Sequence, residues 1–118
     1  MNKSRYGTYY NLTYLTELSD GDDSFISDLT NTFVNQTPEI LRELKEAAEK
    51  CDHARTTFLA HKLKSSCEIM GMSLATSICL KLELAAIDKQ ELGKFKNDLE
   101  TLIHQLTVST TELRGAAN

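Results

Sequence analysis

The chain has 118 residues, 17 acidic against 13 basic side chains and a net charge of −4; charged residues make up 25% and apolar residues 41%. That length suits one domain with one core, and the acidic balance argues against nucleic acid, whose binders carry a basic face. No apolar run approaches the roughly 18–20 residues of a membrane span, and no signal-peptide pattern opens the chain.

Seventeen Leu, two Val and a single Pro favour helices over sheet. Cys51, Cys67 and Cys79 are odd in number and not closely paired, which fits a reducing, cytoplasmic setting better than a disulfide framework. Residues 1–11 are polar, carry Tyr6, Tyr9 and Tyr10, and show no period. A short helix is expected over Leu12–Leu18, stopped by Ser19-Asp20-Gly21. Asp22 or Asp23 caps a second helix to about Gln36, with Phe25, Ile26, Leu29 and Phe33 at helical spacing. Thr37-Pro38-Glu39 reads as a cap, first position and first-turn acid, starting a new helix or a re-angled continuation that ends near Cys51.

Asp52 caps a helix to Met70, with Gly71 as its terminating glycine. Ser73 caps the next, from Leu74 to about Ile87. Leu74, Ile78, Leu82 and Ala85, together with Leu80, Leu84 and Ile87, give it so wide an apolar arc that it is expected to be the most buried element. Asp88 and Glu91 form a capping-box-like start to the last helix, which carries Leu92, Phe95, Leu99, Leu102, Ile103, Leu106 and Leu113. Short connections between amphipathic helices make an all-α, antiparallel up-and-down bundle over residues 12–114, with a four-residue tail.

Within the Asp52–Met70 helix, Leu59, Leu63, Cys67 and Met70 share one arc, with Phe58 at its edge, and His61 lies on the opposite one. Thr57, Lys64 and Ser65 are its neighbours one turn away. An exposed imidazole keeps a nucleophilic nitrogen near neutral pH, and a nearby ammonium can pair with phosphoryl oxygens. The same placement also occurs on ordinary solvated helix faces, so position alone does not decide. His53 and His104 read as solvated surface residues, and Cys67 and Cys79 as core, with Cys51 partly exposed. Val34 falls off its helix's main stripe and is equally an exposed anchor or an edge-of-core residue. Glu49/His53 and Glu100/His104 face outward and the cysteines lack zinc-ligand spacing, which leaves no metal site. No Gly-rich nucleotide loop, Walker lysine or kinase set is present, so the chain is not expected to use ATP as an enzyme.

The string Ala60-His61-Lys62-Leu63-Lys64-Ser65-Ser66, followed by Gly71, Leu74 and Leu82-Glu83, resembles the signature of histidine-containing phosphotransfer (HPt) domains. Upstream, Tyr14-Leu15, Leu18, Gly21-Asp22, Phe25-Ile26, Phe33, Thr37-Pro38, Leu44, Ala47 and Asp52 fall in the family's order. The resemblance implies a four-helix bundle with one or two accessory N-terminal helices, and a phosphorelay carrier. His61 would take a phosphoryl group from a receiver-domain aspartate and pass it to another. Lys64 would hold the phosphoryl oxygens, and Gly71 would end the site helix and let it pack tightly on the next. Thr57, Ser65 and Glu68 would form the surrounding surface. Ser65 departs from the family's usual Gly and bears on transfer rate. The partners implied are receiver domains of response regulators or hybrid kinases, docking around His61 and the Phe25–Gln36 and Pro38–Lys50 helices. Mg²⁺ is expected on the partner and no cofactor on this chain, taken as a monomer. The alternative reading is an adaptor that binds receivers without carrying phosphate.

Overall fold

The computed structural model describes residues 5–116. They form five α-helices: α1 (Thr13–Leu18), α2 (Asp23–Glu49), α3 (His53–Ile69), α4 (Ser73–Ile87) and α5 (Lys96–Ala116), with a 3-10 turn over Leu92–Phe95. Helices α2 to α5 make the bundle. Each of α2 and α4 packs against both α3 and α5, and α1 is the accessory element. The 27 residues of α2 span about 40 Å at 1.5 Å per residue and set the long dimension of the 47 × 23 × 19 Å molecule.

The start signals at Asp22 and Asp52 work as the sequence suggests. Asp22 accepts from Ser24 N and Phe25 N, and Asp52 accepts from Arg55 N. Between them, α2 runs unbroken through Pro38. Thr37 is therefore a buried mid-helix residue and not a cap. A proline in a helix interior costs about 3 kcal/mol through its missing N–H and ring clash. Burial of Phe33, Val34, Thr37, Ile40, Leu41 and Leu44 around it carries the helix across.

Three further boundaries differ from the sequence reading. Met72, wholly buried, occupies the N-cap of α4 without a side-chain cap, and Ser73 is its first helical residue. Asp88 closes α4, where Lys89 N and Gln90 N bond back to Ala86 O and Ala85 O, so it is committed there and cannot cap the last helix. The chain instead enters α5 through the 3-10 turn, with Leu92 buried against Ala85, Ala86 and Phe95.

Burial along α4 and at Val34 is decided by the neighbouring helices. Helix α4 has the largest share of buried residues of the five helices and packs on both α3 and α5, but its apolar arc is wider than they cover: Ile78, Leu82 and Ala85 are buried, while Leu74, Leu80, Leu84 and Ile87 face outward. Its two bundle neighbours cover only one arc. Val34 is 6% exposed and belongs to the core, because α2 is packed against α3 and α5 at once.

Residues 8–11, ahead of α1, are docked on the bundle. Tyr10 is buried, Asn11 N donates to Met70 O, Thr8 N and Oγ1 donate to the Glu112 carboxylate, and Tyr9 meets the His104 ring edge-on. His104 is thus exposed but in ring contact. His53, read as solvated, is half-buried, with Nε2 2.7 Å from Gln90 O. Cys67 and Cys79 are fully buried, while Cys51 is exposed. The hydrogen bond with Cys79, with burial behind it, pushes the Cys67 thiol up, which keeps it an inert core group.

Candidate functional site

Halfway along α3, His61 projects from the bundle with 60% of its side chain exposed. Helix periodicity turns it away from Leu59, Leu63 and Cys67, which are all buried. The antiparallel α4 lies alongside and places Glu83 opposite both His61 and Lys64. Glu83 Oε2 is 2.7 Å from His61 Nδ1, and Glu83 Oε1 accepts from Lys64 Nζ at 2.8 Å. Only 12% of the Glu83 side chain and 23% of the Lys64 side chain are exposed.

Glu83 is where sequence reasoning fell short. Glu68, expected on the surface around the ring, stands exposed on α3 itself. The acid at the imidazole comes from the next helix. One signal was present: Glu83 is a carboxylate flanked in sequence by Leu82 and Leu84 on a helix otherwise rich in apolar residues. A helical wheel drawn for α3 alone cannot show a side chain that α4 supplies.

The hydrogen bond from the Lys64 ammonium holds the Glu83 carboxyl below the usual carboxylate range. The bond from His61 adds to this, against the upward push of burial. An ionised carboxylate only accepts. Nδ1 of His61 is therefore the protonated nitrogen, and in the neutral ring the lone pair sits on Nε2. The ring's one hydrogen bond among the described residues is at Nδ1, so Nε2 is left open on an exposed ring.

The other predicted residues are distributed around this pair. Lys64 is tied to Glu83 and does not stand alone beside the ring. Thr57 Oγ1 donates to His53 O and Ser65 Oγ to His61 O, so both hydroxyls fold back on their own helix. The serine hydroxyl is thereby turned towards the backbone. Phe58, expected at the edge of the buried arc, is 64% exposed one turn before His61. On the α2 side lies a shallow depression lined by Leu29, Phe33, Gln36, Ser66 and Ile69.

Gly71 ends α3 with φ +66°. Its N–H bonds to Glu68 O and that of Met72 to Cys67 O, which closes the helix. The close approach there is made by the N-terminal segment, not by α4: a Cβ on Gly71 would overlap the Asn11 carbonyl oxygen. Among the described residues no group of three His, Cys, Asp or Glu side chains could hold a metal ion, and no helix is long and apolar enough to cross a membrane.

Comparison with known proteins bears directly on this arrangement. No curated protein sequence matches the chain. The crystal structure of histidine-containing phosphotransfer protein B from Pseudomonas aeruginosa superposes with a TM-score of 0.79 at 23% identity, covering 93% of this chain and 95% of that one. That likeness establishes the fold. The family model for the Hpt domain matches residues 28–114, which include α3, α4 and the whole His61–Glu83–Lys64 network. The chain is a member of the Hpt domain family, the histidine phosphotransfer carriers of phosphorelays.

Proposed function

We propose that His61 is the phosphoacceptor, taking a phosphoryl group from a receiver-domain aspartyl phosphate and returning it to the aspartate of another receiver. The observation that carries this reading is the Glu83 carboxylate on Nδ1, which leaves Nε2 as an open nucleophile. The Nε2 lone pair attacks phosphorus in line, the P–O bond to the aspartate breaks, and the carboxylate leaves with its electron pair. The ring becomes a phosphoimidazolium, whose Nδ1–H stays on Glu83. No proton has to be removed, and the new positive charge faces a carboxylate already in position. The Lys64 ammonium lies on the same side of the seam and offsets phosphoryl charge when it shifts from Glu83. Reversal of these steps delivers the group to the next aspartate. The chain contributes alignment and charge. The receiver brings the acidic pocket and its Mg²⁺.

Docking falls on the face around His61, with exposed Phe58 as an apolar anchor in place of buried Val34, and the depression between α2 and α3 beside it. The test is to incubate the protein with phosphorylated receiver domains and follow acid-labile, base-stable label. The expected result is label on the wild type and none on His61→Gln. Label that persists in His61→Gln overturns the assignment. Binding of receivers without label on the wild type would establish the adaptor reading instead.

A further inference from the structure

Helix α4 exposes a stripe that the bundle does not use. Leu80, Leu84 and Ile87 are 42%, 52% and 54% exposed, while Ile78 and Leu82 on the opposite arc are 3% or less. Their spacing of four and three residues puts them on one face. Scattered surface leucines need no explanation, but a run of three large aliphatic side chains on one helix face marks an interaction site.

Its position says what covers it. Leu80 and Ile87 lie three residues before and four after Glu83, so they flank on the helix surface the residue that bonds His61 and Lys64. The stripe therefore runs along the outer edge of the seam that holds the imidazole. Packed helix axes lie about 8–10 Å apart. An interface of about 800 Å² per partner, a disc of about 16 Å radius, centred on His61 reaches across α4. Beside the stripe, Lys81 is bound to Asp98 at 3.1 Å.

We propose that Leu80, Leu84 and Ile87 form an apolar part of the docking surface for the receiver domain that exchanges its phosphoryl group with His61. This rests on the phosphoacceptor reading of His61. A second copy of the chain fits less well, because three half-exposed aliphatic side chains supply only a fraction of what a stable dimer buries, whereas transient signalling contacts use small interfaces. The partner thus straddles the α3–α4 seam, with Phe58 on one side of the ring and the α4 stripe on the other.

The test separates the ring's chemistry from docking. Phosphoramidate, a small donor that needs no protein contact, is used to load His61 in the wild type, Leu80→Asp, Leu84→Asp and, as an off-stripe control, Leu74→Asp. Each loaded protein, with its fold checked by thermal melting, is mixed with a panel of receiver domains at increasing concentration. The expected result is equal loading of all four and a rise of about ten-fold in the half-saturating receiver concentration for the two stripe variants. The saturating rate stays within about two-fold, and the control is unchanged. Unaltered concentration dependence in the stripe variants overturns the proposal. So does a wild-type dimer that Leu84→Asp dissolves, or a loaded wild type that no receiver discharges. Failure of wild-type loading, or loading that survives His61→Gln, overturns the reading of His61 itself.

Discussion

The turn between α2 and α3 and the turn between α3 and α4 have the same backbone. In each, one residue takes a left-handed conformation, Cys51 at φ 55° and Gly71 at φ 66°, and its own N–H and that of the next residue bond back into the finished helix. In each hairpin a glutamate from the neighbouring helix reaches a base on α3. Glu43 pairs with Arg55 at 2.9 Å, and Glu83 pairs with Lys64 and His61. The difference is in exposure and in what the carboxylate controls. The Arg55 side chain is 49% exposed, and its pair is an ordinary surface contact. Glu83 is shielded, uses both oxygens, and fixes which nitrogen of an exposed ring carries the proton. Similar folding signals thus yield one hairpin with an ordinary surface pair and one that holds an exposed imidazole by its Nδ1.

The largest expected difference between the hairpins is in transfer. A hydrogen bond to a charged group contributes about 1.5–3 kcal/mol, which is about ten- to hundred-fold in rate. Glu83→Ala is expected to slow phosphoryl uptake by that factor, and Glu43→Ala by less than about two-fold, as read from labelling time courses with one receiver. Equal effects would erase the distinction. The turns come next. At Gly71 any Cβ carries the left-handed cost of about 1–2 kcal/mol and also meets Asn11. Gly71→Ala is expected to lower stability by about 2 kcal/mol or more, and Cys51→Gly to raise it by about 1 kcal/mol, both read from denaturant melts.

A smaller effect concerns acid stability. The folded Glu83 carboxyl titrates below its ordinary value of 4.5. Its contribution is therefore complete above that range and is lost as the pH falls through the depressed folded value. Stability measured against pH should decline less steeply on the acid side in Glu83→Gln than in the wild type. Parallel acid limbs would show that the Lys64 contact does not hold the carboxyl down.

Much of this was legible in the sequence, and the exceptions share a cause. The caps at Asp22 and Asp52, the stop at Gly71 and the outward face of His61 depend on residues near in the chain, so periodicity and turn chemistry suffice. The continuity of α2 through Pro38, the burial of Val34, the bare stripe on α4 and the partnership of Glu83 depend on which helices lie beside which. A wheel drawn for one helix treats every apolar residue as core. Only the order of packing around the bundle shows that α4 has neighbours on one arc and that Glu83 is directed at His61.

The most direct test of the His61–Glu83 arrangement is a long-range ¹H–¹⁵N correlation spectrum of the histidine rings, recorded before and after phosphorylation. The expected result is an Nδ1–H tautomer in the neutral ring and a phosphoryl group on Nε2. A phosphoryl group on Nδ1, or a resting ring protonated on Nε2, would contradict it.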